Sequence, residues 1–294
     1  MNIQEERQAP AKINLLLNIL GRGDDGYHEL ESLMIPIPLY DILHFRLDDS
    51  LSDLRLSIPQ NQLNPGADNL VMRAAKAFLK ETRMDVGLHI ELIKKIPMEA
   101  GLGGGSSDAA ITLKTLNHCF GKPLSQKTLH TLASRLGSDV PFFLKEKPML
   151  VKGRGEQLQS IPSLRSLDGA GLLLIKPPFG VSTAWAYQEL ARFPRQLQGQ
   201  EGRAQTMAEA LSNQPLADVS EQFYNSLESP VLEKFPLLKL FQESLREWGA
   251  VVTLMSGSGS TTFALFENLT IAQKVAEKIP EHFGGNHWIS TMEL

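Results

Sequence analysis

Pro97-Met98-Glu99-Ala100-Gly101-Leu102-Gly103-Gly104-Gly105-Ser106-Ser107-Asp108-Ala109-Ala110 joins a strand-like run to a helix-like run. Upstream, Val86, Leu88, Ile90 and Leu92 alternate with other residues, the two-residue period of a half-buried strand. Downstream, Ala109, Ala110, Leu113, Leu116 and Phe120 recur at three- and four-residue steps, the period of a helix face. The glycines between them let the backbone turn sharply and approach a ligand closely. A helix start leaves N–H groups unpaired and carries partial positive charge, so a phosphate fits there. An ordinary strand-to-helix turn capped by Ser or Asp uses the same residue types. Here the glycines are denser than a turn requires, and hydroxyls sit at the helix start, which favours the anion site.

The stretch is not a Walker A loop, because G-x-x-x-x-G-K-[ST] is absent from it. A G-x-G-x-x-G match occurs at Gly21-Arg22-Gly23-Asp24-Asp25-Gly26. Its two aspartates would repel a pyrophosphate and no helix start follows, so it is not a dinucleotide fingerprint.

Of the 294 residues, 42% are hydrophobic and 21% charged, an ordinary globular balance with room for two domains. The net charge of −4 gives no general attraction to nucleic acid, so an anionic ligand needs local cations. Cys119 is the single cysteine, which rules out an intrachain disulfide and a cysteine metal cluster; its expected role is core packing. The acidic start, Met1 to Glu6, lacks the apolar run of a signal peptide, and no stretch reaches the length of a membrane span. The expectation is a cytoplasmic protein with no nucleic-acid, membrane or obligate protein partner.

From the N-terminus, Ala11 to Leu20 reads as a strand with Ile13, Leu15, Leu17 and Ile19 on one face and Lys12, Asn14 and Asn18 on the other. That polar face either meets a phosphate or is a solvated sheet face. Tyr27-His28 ends a polar loop; the pair can stack on a flat base and hydrogen-bond to it, or be a partly buried Tyr beside a surface His. Leu33 to Pro38 and Ile42 to Leu47 read as two further strands, the prolines marking an edge or bulge. Asp48-Asp49-Ser50 reads as a turn, Leu54 to Ile58 as a strand, and Asn64 to Asn69 as a loop whose end caps a helix through Lys80.

After the glycine stretch, Ser125 caps a second helix that Gly137 ends. Asp139 follows at once, either as a cap or turn residue or as a base near the glycine stretch. Lys152 to Glu156 reads as a hairpin turn, and Ser182 or Thr183 as the cap of a helix bearing Trp185 and Tyr187. Residues Gln198 to Gln222 are polar with weak helical signals. The second half runs strand, helices, strand, strand, helix, strand, the order of a ferredoxin-like split βαβ domain, so the fold class is α+β.

Ala9-Pro10-Ala11-Lys12-Ile13-Asn14-Leu15, Pro97 to Ala110, and Leu254-Met255-Ser256-Gly257-Ser258-Gly259-Ser260 together resemble the GHMP kinases, small-molecule kinases without a Walker A loop. Gly26-Tyr27-His28-Glu29-Leu30 and Gly137-Ser138-Asp139-Val140-Pro141-Phe142 narrow the resemblance to the branch that acts on a cytidine-diphosphate substrate in the non-mevalonate isoprenoid pathway. The resemblance implies two domains. Residues 1–165 would form an ATP-binding domain like that of ribosomal protein S5, and 166–294 a ferredoxin-like domain, with the substrate site at their interface.

The resemblance further implies ATP-dependent phosphorylation of the C2 hydroxyl of the methylerythritol unit. Asp139 would be the general base, with Lys12 beside the developing charge. Pro97, Met98, Glu99, Ala100, Gly101, Leu102, Gly103, Gly104, Gly105, Ser106 and Ser107 would wrap the ATP phosphates. Asn14, Tyr27, His28, Thr183 and Tyr187 would hold the substrate. Tyr27 and Tyr187 would flank the cytosine, although Trp185 lies close enough to compete. Magnesium is implied, with Ser107 as a candidate ligand. Another GHMP kinase, acting on mevalonate, homoserine or a sugar, and a non-catalytic nucleotide-binding protein of the same fold are the competing readings.

Overall fold

The computed structural model describes residues 2–23, 26–48, 53–59, 66 and 68–294. The expected turn at Asp49-Ser50, most of the loop from Asn64 to Ala67, and Asp24-Asp25 of the rejected G-x-G-x-x-G match lie outside the described residues. The chain begins with β1 (Asn2–Arg22), β2 (His28–Asp48), β3 (Leu54–Ser57), α1 (Leu70–Thr82) and β4 (Leu88–Ile93). Then come α2 (Gly104–Cys119), α3 (Gln126–Leu136), α4 (Val140–Phe143), β5 (Met149–Gly153) and β6 (Gln157–Ser160). The remainder is β7 (Gly171–Lys176), α5 (Thr183–Glu189), α6 (Arg203–Asn213), α7 (Leu216–Val219), β8 (Tyr224–Asn225), α8 (Glu228–Lys234), α9 (Pro236–Glu247), β9 (Val252–Met255), β10 (Thr262–Phe266), α10 (Leu269–Phe283) and β11 (Trp288–Glu293).

Two compact units share this chain. The first comprises Met1–Ala11, Leu39–Pro97 and Gly103–Lys147, and the second Lys12–Pro38, Met98–Leu102 and Pro148–Leu294. Strands β1 and β2 therefore contribute residues to both, and the glycine stretch passes between them twice.

In the first unit, Ile42–Leu47 of β2 pair antiparallel with β4, and β3 pairs parallel with β4. Their inward faces carry Leu43, Phe45, Leu47, Leu88, Ile90 and Leu92, all buried. Helix α1 starts at Asn69, whose side chain accepts the Val71 N–H. This is the cap expected at the end of the Asn64–Asn69 loop. Ser125 caps α3 by accepting from Thr128 N–H, and Gly137 is its C-cap. Helix α2 buries Ala109, Ala110, Leu113 and Leu116, and its neighbours α1 and α4 bury Phe78, Phe142 and Phe143.

In the second unit, Leu30–Met34 of β2 pair antiparallel with β5, which pairs with β6 across the expected hairpin turn. The segment expected as two strands is one, β2. Pro36 and Pro38 lie between the residues that pair with β5 and those that pair with β4, so their missing N–H groups break neither of these ladders. A separate sheet has the order β11-β7-β10-β9, every pair antiparallel. With α10 between β10 and β11, this is the expected ferredoxin-like arrangement. Its core holds Leu173, Ile175, Leu238, Phe241, Leu245, Met255, Phe266, Val275 and Ile279. The polar region from Gln198 to Gln222 contains α6 and α7; α6 buries Ala204, Met207, Ala208 and Leu211, so small residues supply a face that apolar periodicity barely registers.

Candidate active site

The polar face of β1 is not solvated. Lys12, Asn14 and Asn18 are 3%, 3% and 0% exposed. Lys12 Nζ donates to Asn14 Oδ1 at 2.6 Å, Asn14 Nδ2 donates to Ser32 Oγ at 2.8 Å, and Ser32 Oγ donates to the Leu16 carbonyl at 2.6 Å. A buried ammonium is unstable without charged or dipolar partners. This chain holds Lys12 on a strand that is itself fixed, since its N–H donates to the Leu102 carbonyl at 2.9 Å.

Residues Met98–Leu102 of the glycine stretch run against the turn from Ser256 to Thr261. Ser260 N–H and Thr261 N–H donate to the carbonyls of Glu99 and Ala100 at 3.4 and 3.2 Å, and Ser256 Oγ donates to the Gly101 carbonyl at 3.0 Å. Gly101 has φ +72°, and a Cβ there would lie 1.9 Å from the Ser256 carbonyl oxygen. Only glycine fits. Gly101→Ala is expected to lower stability by at least about 1–3 kcal/mol, the range for a non-glycine residue held in left-handed backbone, since the overlap adds to it. An unchanged urea midpoint would contradict this packing.

Thr183 Oγ1 lies 2.8 Å from Ser258 Oγ, which ties the start of α5 to the same turn. Ser182, one of the two expected caps, accepts the Trp185 N–H. The structure separates the two competing aromatics. Tyr187 faces His28 with ring centroids 5.2 Å apart, whereas Trp185 packs edge-on against Phe235 at 5.9 Å under Lys234. Tyr27 is 62% exposed, and the Arg154 guanidinium covers its ring at 4.6 Å. Burial, with the Arg22 charge second, lowers the pKa of His28, which favours its neutral imidazole.

In the other unit, Gly103 (φ +71°) precedes α2, whose first residues are Gly104, Gly105, Ser106 and Ser107. Ser107 Oγ is buried with no hydrogen-bond partner. A Cβ at Gly104 would lie 3.0 Å from Ile96 and 3.2 Å from Lys94 Nζ, while at Gly105 only Leu70 is near, at 3.5 Å. Behind this turn, Lys94 bridges two buried carboxyls, donating to Asp108 at 2.8 Å and to Asp41. Asp41 also accepts the N–H groups of Lys95 and Ile96 at 2.6 and 2.8 Å. Burial raises the pKa of Asp108 to about 7, against the lowering influence of Lys94. Lys94 thus pairs with both carboxyls beside the start of α2.

Asp139 stands at the N-cap position of α4, yet its carboxylate makes no capping bond. That removes the capping role weighed for it from sequence. Cys119 is partly buried and its thiol pKa is raised, mainly by burial, which suits packing rather than nucleophilic chemistry.

The buried Asp41 and Lys94, and the Arg154 over Tyr27, were not singled out from sequence. Asp41 and Lys94 sit in apolar strand sequence, a charge-in-core signal that could have flagged them. Among the described residues no group of three or more His, Cys, Asp or Glu is placed to hold a metal. None of their helices is long and apolar enough to cross a membrane.

The family model of the GHMP kinases N terminal domain matches residues 69–147, and that of the GHMP kinases C terminal domain residues 201–285. The chain is 41% identical over 270 residues to a 4-diphosphocytidyl-2-C-methyl-D-erythritol kinase of Pelotomaculum thermopropionicum, covering 92% of each chain. It is also 41% identical over 269 residues to a protein of that name from Thermodesulfovibrio yellowstonii, covering 91% of each. A crystal structure of a 4-(cytidine 5'-diphospho)-2C-methyl-D-erythritol kinase superimposes with a TM-score of 0.79 at 34% identity, over 99% of this chain and 100% of that one. A homoserine kinase from Cytophaga hutchinsonii shares the fold, with a TM-score of 0.72 at 18% identity over 98% and 93% of the two chains.

Proposed function

The chain belongs to the GHMP kinases, and from that premise we propose that it transfers the γ-phosphoryl group of ATP to the C2 hydroxyl of 4-diphosphocytidyl-2-C-methyl-D-erythritol. The products are ADP and the 2-phosphate, placing the protein in isoprenoid precursor synthesis. The protein is a small-molecule kinase. Its expected setting is the cytoplasm.

The observation that supports this substrate most is the pairing of His28 with Tyr187, beside a Tyr27 whose other interactions include the Arg154 guanidinium. Two flat rings bracket a pyrimidine, and a neutral imidazole hydrogen-bonds its edge. Mevalonate and homoserine offer no ring to bracket. Thr183 and Asn14 complete the polar contacts to the substrate in this reading. His28→Ala is expected to raise the substrate KM by about 10-fold or more, the equivalent of one lost hydrogen bond to a buried partner, with the ATP KM nearly unchanged. Steady-state kinetics with each substrate varied in turn check this, and an unchanged substrate KM would refute base recognition.

In the reaction, Asp139 takes the proton of the C2 hydroxyl as its oxygen bonds to the γ-phosphorus and the bridging P–O bond to ADP breaks. Lys12 offsets the negative charge that develops there. Pro97 to Ser107 wrap the triphosphate with backbone N–H groups and the start of α2. Magnesium fits this reading on one observation, the buried and unpartnered Ser107 Oγ, an oxygen donor of the type the ion takes. When bound, the ion would neutralise phosphate charge, with Ser107 as its protein ligand. The domain division proposed is 1–165 for ATP and 166–294 for the ferredoxin-like part.

A further inference from the structure

The turn from Ser256 to Thr261 is held from behind by two side chains that belong to neither the glycine stretch nor the base-binding group. Asn225, at the end of β8, is 2% exposed. Its Nδ2 donates to the carbonyls of Met255 and Gly257, each at 2.8 Å, and its Oδ1 accepts the Leu227 N–H at 2.9 Å. Both amide hydrogens and the oxygen are used, so the amide has one orientation; turned over, its oxygen would face two carbonyls. Three residues on, Glu228 Oε1 accepts the Met255 N–H at 2.7 Å and a bond from Gln242 Nε2. On its other side the turn meets the site. A Cβ on Gly257 would lie 3.0 Å from Lys12 Nζ, 3.1 Å from the Gly101 carbonyl oxygen and 3.5 Å from Asn14 Oδ1. The Gly257 backbone is thus one wall of the Lys12 ammonium pocket.

We propose that Asn225 and Glu228 are positioning residues for phosphoryl transfer: they fix the Ser256–Thr261 turn, and the turn fixes the Lys12 ammonium. The proposal rests on the reading of Lys12 as the cation at the transferred group. A misplacement of about 1 Å at such a group lowers turnover by up to about 10²-fold without loss of ground-state binding. Asn225→Asp keeps the size of the side chain and the acceptor for Leu227 N–H. It replaces the two donors with an oxygen aimed at two carbonyls, which pushes the turn away.

The test is a double-mutant cycle, N225D, K12M and N225D/K12M, read as kcat and both KM values. N225D should lower kcat by about 10–100-fold with both KM values little changed. In the K12M background the same change should lower kcat by no more than about 3-fold, because the route through Lys12 is already gone. Glu228→Gln, which keeps the acceptor, should retain activity, and Glu228→Ala should lose it. A folded N225D with wild-type kcat overturns the proposal, as do fully multiplicative losses in the double variant. If K12M itself retains wild-type kcat, the reading of Lys12 fails and takes this route with it, a result distinct from the other two. Should N225D not fold, the same cycle with Glu228→Ala decides by the same outcomes.

Discussion

Asp139→Ala is expected to lower turnover by on the order of 10²–10⁴, the usual contribution of a positioned general base. Asp139 sits in a short turn between α3 and α4. Gly137 closes α3, and Val140 N–H donates back to the Gly137 carbonyl at 3.2 Å, so a single tight turn presents the aspartate before α4 begins. Val140, Pro141, Phe142 and Phe143 are buried and anchor that turn. Asp139 makes no side-chain cap on α4. Asp139→Asn, which keeps the shape and removes the basic oxygen, should lose about as much. A change within a few-fold for either variant would remove the base from the account.

Lys12→Ala is expected to lower turnover by about 10²–10³, comparable with removing one preorganised donor from a developing oxyanion, and to raise the ATP KM far less. The side chain is 3% exposed and its ammonium bonds to Asn14, so its orientation is set before substrate arrives. Preorganised charge in a site shielded from water acts more strongly than the same charge in solvent. Lys12→Met, which retains the apolar stem, separates the loss of charge from the loss of packing. Lys12→Arg should not restore activity, because the planar guanidinium needs more room than the Gly257 wall leaves. A variant whose ATP KM rises while kcat holds would make Lys12 a binding residue only.

Much of the fold was legible. A period-two run located β4, and Asn69, Ser125, Gly137 and Ser182 marked helix ends that they do cap or stop. The ferredoxin-like order followed from the sequence of elements alone. Helix α6 was faint because alanine and a single methionine make most of its buried face. The long strand β2 was read as two because two prolines interrupt its pattern, and only the register shows that they fall between ladders.

Of the residues proposed for the site, the glycines, Tyr27-His28, Lys12 and Asp139 stood out in the sequence. Local pattern left Lys12 between a solvated and a functional face, and burial excludes the solvated one. The contacts of Asn225, Glu228 and the Asp41–Lys94–Asp108 triad were not legible. Lys94 reaches Asp41 and Asp108 across 53 and 14 positions, and Asn225 and Glu228 reach Met255 across 30 and 27, which no local period encodes.

The acceptor alcohol distinguishes the proposed reaction from those of other GHMP kinases. Phosphoryl transfer from ATP, followed by phosphorus NMR across a panel of 4-diphosphocytidyl-2-C-methyl-D-erythritol, mevalonate and homoserine, tests it most directly. A new phosphomonoester is expected at C2 of the cytidine-diphosphate substrate, one per ADP formed, with little or none on the other two alcohols. Equal transfer to an alcohol without the cytidine, or no transfer to the one that carries it, would contradict it.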